Sequence, residues 1–68
     1  MTSTSDHAEL TMLRSVLDDL VTRIVQISDR YRESEDSAVA ADLDAAERTL
    51  LTARRALDRA VGTLRSMG

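Results

Sequence analysis

Between Leu10 and Tyr31 the large apolar residues Leu10, Leu13, Leu17, Leu20, Ile24, Ile27 and Tyr31 recur at alternating steps of three and four. A strand repeats every second residue and a helix every 3.6, so this spacing marks one face of one helix. Continued without interruption, it is a heptad seam with apolar residues at positions a and d. A second seam follows downstream. Leu43, Leu50, Leu57 and Leu64 lie seven apart, and Ala46, Ala53, Ala60 and Met67 each follow three residues later.

Helix limits follow from capping chemistry. Residues 1–5 are small, polar and aperiodic, which predicts a disordered tail. Ser5 or Asp6 then offers an N-cap oxygen, and Asp6 with Glu9 has the spacing of a capping box. Helix 1 is expected over about 6–33. The run Glu33-Ser34-Glu35-Asp36-Ser37 is the one internal cluster of turn-forming residues, which places a turn at about 34–37 and helix 2 at about 37–66. The folded domain is then 6–68.

Register decides between a hairpin and a single rod. With Leu10 at position a, Tyr31 is also a, and the a position implied before Leu43 is residue 36, a step of five that fits no heptad continuation. Folding back instead pairs Tyr31 with Val39, Ile27 with Leu43, Ile24 with Ala46, Leu20 with Leu50 and Leu13 with Leu57, each pair totalling 70 and centred on Glu35. Bulky a residues of helix 1 then meet alanines of helix 2, which permits close approach. On the flanks, Arg30 faces Asp42 favourably at g, whereas Arg14 faces Arg54 at e, which is unfavourable unless a carboxylate joins them. The predicted fold is all-α: an antiparallel two-helix hairpin of Ala/Leu heptads.

A chain of 68 residues without cysteine has neither disulfide nor thiolate-metal staple, and a core this small rarely supplies more than about 3 to 5 kcal/mol alone. Apolar residues remain beside the seam, with Val21, Val25, Leu51 and Val61 on the e/b side and Met12, Val16, Ala45 and Ala56 on the g/c side. A contiguous strip of this kind marks a partner surface. The expectation is a homodimer forming an antiparallel four-helix bundle through Val21, Val25, Leu51 and Val61.

Nothing in the sequence points to catalysis, a cofactor or a metal. Asp18, Asp19, Asp29, Asp44 and Asp58 fall at b, c or f, where they are expected to face water, and a general acid or base needs a desolvated cleft. The Glu-x-x-His pattern of di-iron bundles is absent. His7, the single histidine, is read as a solvated residue of the first turn, Tyr31 as the end of the core, and Gly62 as a point of fraying. Arg48, Arg55 and Arg59 form a basic stripe on helix 2, suited to an acidic partner surface or a phosphorylated ligand through bidentate guanidinium contacts.

Net charge is -3, which disfavours general nucleic-acid binding. No run reaches the roughly 18 to 20 apolar residues of a membrane span, and the first residues lack the features of a secretory leader, so a cytoplasmic location is expected. All nine basic residues are arginine, in keeping with a GC-rich bacterial source. The expected function is a non-enzymatic, possible regulatory assembly module that dimerises and docks on a partner protein. The alternative from another class is a sensor that binds a nucleotide or other phosphorylated ligand at the arginine stripe, and an enzyme subunit is the weakest of the three.

Overall fold

The chain is a two-helix hairpin. The computed structural model describes residues 2–67, so the expectations touching Met1 and Gly68 lie outside the described residues. Helix α1 spans Thr2–Tyr31 and helix α2 spans Ser37–Met67, packed side by side along their length. Helix α1 begins earlier than the capping pattern implies. The tail expected over residues 1–5 is helical from Thr2, and Asp6 lies inside the helix rather than at its cap.

Helix α1 also stops two residues short of Glu33, and Ser34 is the reason. Its N–H donates to the Tyr31 carbonyl at 3.0 Å and its hydroxyl donates to the same oxygen at 2.9 Å. The hydroxyl oxygen in turn accepts the Asp36 N–H at 3.1 Å. One small side chain thus satisfies a terminal carbonyl of α1 and a free amide ahead of α2, groups that every helix end leaves without partners. The Asp36 carbonyl then accepts the Val39 N–H at 2.9 Å and starts α2. Among the described residues none other than glycine has a positive φ, so the reversal needs no glycine.

The hairpin measures 53 × 15 × 10 Å with a radius of gyration of 15.7 Å, against about 11 Å for a compact chain of this length. A body one helix thick encloses almost nothing. Among the described residues only Ala40 and Ser28 are buried, at 4% and 1% exposure.

Both helices are rotated about their axes relative to the expected a-to-d seam. The a residues remain half-buried. Most d residues lie at the open edge of the contact: Leu13 and Leu20 are each 42% exposed, Ile27 39% and Val39 40%. Their place is taken by positions e and b, among them Val21, Val25 and Ser28 on α1 and Ala40, Leu51 and Val61 on α2. Ser28 and Ala40 are small enough to let the helices close together near the turn, where the Ser28 hydroxyl lies 3.3 Å from the Ala40 carbonyl oxygen. Register is kept while the face changes. Arg14 with Asp58, Asp18 with Arg54 and Ser28 with Asp44 each total 72, and Ser28 with Ala40 totals 68, so the pairing stays within one residue of the expected centre at Glu35.

Replacing Ser34 with alanine removes both of its hydroxyl contacts. The variant is expected to lose about 1 kcal/mol of stability, as lost caps do, seen as a lower midpoint in urea followed by far-ultraviolet circular dichroism. An unchanged midpoint would show that the turn does not depend on Ser34.

Candidate functional site

The rotation gives the hairpin two unlike faces. One is closed by polar contacts between the helices. Arg14 Nε meets Asp58 Oδ1 at 2.7 Å, and Arg54 Nη1 donates to Asp18 Oδ1 at 2.8 Å. Nearer the turn, Arg32 donates to both oxygens of Asp44, from Nη1 at 3.0 Å and from Nη2 at 3.2 Å, a two-pronged pair. The Ser28 hydroxyl donates to Asp44 Oδ1 at 2.9 Å and its oxygen accepts from Arg32 Nη2 at 3.3 Å. Of two further pairs, Arg23 with Asp19 stays within α1, and Arg32 of the turn reaches back to Asp29 in the last turns of α1.

Several sequence expectations change here. Asp18, Asp44 and Asp58 do not simply face water; Asp18 and Asp58 each hold an arginine of the other helix, and Asp44 holds Arg32 of the turn. Arg14 and Arg54 do not oppose one another, because Asp58 and Asp18 supply the carboxylates that relieve them. Asp44 is bound to Arg32. The Arg32 guanidinium and the Ser28 hydroxyl, through hydrogen bonds, hold the Asp44 carboxyl below its usual range, more than offsetting the partial desolvation that pushes it up. Asp44 and Asp18 in turn raise Arg32 and Arg54, which are charged at any accessible pH.

The opposite face is apolar and open. Its α1 side presents Met12, Leu13, Val16, Leu20 and Ile27, all exposed. Its α2 side is lower, with Ala53 and Ala60 exposed, Ala46 half-buried, and Val39 and Met67 at the two ends. At the free end of the hairpin the helices leave an open groove lined by Leu10, Leu13, Ala60, Leu64 and Met67, with Asp6 and Glu9 beside it.

The leftover apolar surface is therefore not where the sequence placed it. Val21, Val25, Leu51 and Val61 sit on the polar-closed face and are half-buried within the single hairpin. Their residue numbers explain this: Val21 and Leu51 total 72, the register of the ion pairs, and so lie level with each other across the helices. Arg48, Arg55 and Arg59 are exposed on α2 and take part in no ion pair among the described residues. Arg30 and Asp42, expected to pair within the hairpin, do not; position g points away from the neighbouring helix.

Smaller features fall as follows. His7 is half-buried rather than solvated, with Nε2 unpartnered among the described residues. Tyr31 is half-buried beside the turn, as the end of a seam should be. Gly62 lies inside α2, and a Cβ there would meet nothing within 4 Å, so no close approach requires the glycine. Among the described residues there is no grouping of His, Asp and Glu suited to a metal ion, and no helix is long and apolar enough to cross a membrane. No known protein family, characterised protein or solved structure matches this chain. The two faces are accordingly what a functional reading stands on.

The depressed Asp44 carboxyl gives a pH dependence with a definite sign. A carboxyl that ionises more readily in the folded chain stabilises it above the unfolded value of 3.8, and that contribution is lost as pH falls through the lower native value. Asp44→Asn should therefore melt below the parent near neutrality, with the gap narrowing at strongly acid pH in thermal melts. A gap that is the same at both pH values would remove Asp44 as a source of acid sensitivity.

Proposed function

We propose that the protein is a non-enzymatic assembly module that works as a homodimer, two hairpins joining by their apolar faces into an antiparallel four-helix bundle. The carrying observation is the exposed row Met12, Leu13, Val16, Leu20 and Ile27 in a chain with only two buried residues among those described. A contiguous apolar strip along a thin body is the mark of an unfilled contact. The rotation of the helices favours the same reading. In a four-helix bundle each helix touches its neighbours through flanking positions and points its apolar seam at the common centre, and here the d residues stand on the open face while e and b join the half-buried a residues in the contact within the chain.

Once the apolar faces meet, the outer side of α2 remains free. Arg48 and Arg55 lie there without an internal carboxylate partner, and Arg59 stands nearby. Unpaired guanidinium groups in a row suit a carboxylate-bearing protein surface. The dimer is thus read as a scaffold whose role is to dock on an acidic partner protein. A phosphorylated small molecule is the rival occupant of the same stripe.

The test is sedimentation velocity on the parent and on the double substitution Leu20→Glu with Ile27→Glu. The parent is expected to sediment at twice the chain mass at micromolar concentration, and the double variant at the chain mass. A parent that remains a folded monomer there would overturn the reading, as would a double variant that assembles unchanged.

A further inference from the structure

We infer that the occupant of the apolar face is a second copy of this chain docked about a two-fold axis parallel to the long axis of the hairpin, so that both turns lie at the same end of the bundle. This rests on the self-association proposed above and goes beyond it by choosing one of two possible arrangements. A face-to-face pair of hairpins can be related by a two-fold axis along its length or by one across it. The first sets α1 of each copy on α2 of the other; the second sets α1 on α1 and α2 on α2.

The two sides of the apolar face differ in size, and this separates the alternatives. Helix α1 offers the bulky residues Leu13, Leu20 and Ile27, and α2 offers Ala46, Ala53 and Ala60. A lengthwise axis keeps every residue at its own height, so the register of the chain's own ion pairs carries over to the new contact. To within one residue, Leu13, Leu20 and Ile27 then lie over Ala60, Ala53 and Ala46 of the second copy, large against small, as interdigitated cores require. A crosswise axis would bring the bulky row onto itself and the alanine row onto itself. One pair of helices would be forced apart and the other left with gaps, both of which destabilise.

Charge separates them again. Arg30 and Asp42 border the apolar face and are unpaired within the chain among the described residues. Their numbers total 72, the sum shared by Arg14 with Asp58 and Asp18 with Arg54, so a lengthwise axis places Arg30 level with Asp42 of the second copy, twice by symmetry. Val16 and Ala56 share that total and meet as an apolar pair. Under a crosswise axis the turn ends lie at opposite ends of the bundle, and Arg30 is most of the hairpin's 53 Å length from Asp42 of the second copy. Opposite charges that find each other in only one arrangement select that arrangement.

The chain has no cysteine, so Glu35→Cys in the exposed turn can carry a single spin label. Double electron-electron resonance on the full-length labelled protein is expected to give a label separation on the order of 20 Å, about two helix diameters. A separation near 50 Å, the length of the hairpin, would overturn the lengthwise axis and leave the dimer standing. A labelled chain that sediments as a folded monomer at the concentration of the resonance measurement would overturn both.

Discussion

Arg54 meets Asp18 at 2.8 Å, Arg14 meets Asp58 at 2.7 Å, and Arg32 grips Asp44 beside Ser28. These contacts decide which side of each helix faces the other. Exposed ion pairs are individually weak, roughly 0.2 to 1 kcal/mol, yet they act here between nearly equal alternatives. A pair of helices covers one stripe on each, and the a residues are covered whichever way the helices turn. Turning one way adds Val21, Val25, Leu51 and Val61 to the contact; turning the other adds Leu13, Leu20, Ile27 and Val39. The second set is the bulkier, but only the first side also relieves Arg14 and Arg54. With small residues at Ser28 and Ala40 allowing close approach, the polar side closes and the bulkier apolar side stays outward.

The functional reading descends from that choice. Had the d residues filled the contact, the hairpin would present valines scattered among charges and no coherent surface. Instead Leu13, Leu20 and Ile27 lie together with Met12 and Val16 on one open side. A chain of this size cannot enclose a core with two helices, but two chains can, each bringing its own a and d residues to a shared centre. Under the proposed dimer, assembly and fold would be the same event, and the stability of one chain would depend on the concentration of the other.

Much of this was legible in the residues. Heptad spacing gave two helices, the step of five between Tyr31 and the next seam gave the reversal, and the cluster about Ser34 gave its place. The pairing centre was right to within a residue. The rotation is not legible in the a/d rule, which places apolar residues on a seam and takes no account of the ion pairs and small residues at e and b that draw the helices together on that side. One signal was present and unread. Arg14 with Asp58, Asp18 with Arg54, and Ser28 with Asp44 share a single sum at positions e and b, which a search for charge complementarity across the flanks would have found. The start of α1 was misplaced for a simpler reason: a capping pattern at Asp6 permits a helix to begin there but does not stop one that begins sooner.

The claim that intrachain contacts run through the polar face and interchain contacts through the apolar face is tested most directly by isotope-filtered nuclear Overhauser spectroscopy on an equimolar mixture of labelled and unlabelled chains. The account predicts contacts between Ser28 and the Ala40 methyl only within a chain, and contacts from the Leu20 and Ile27 methyls to α2 alanines only between chains. Leu20 and Ile27 contacts confined to a single chain, or Ser28 to Ala40 contacts passing between chains, would contradict it.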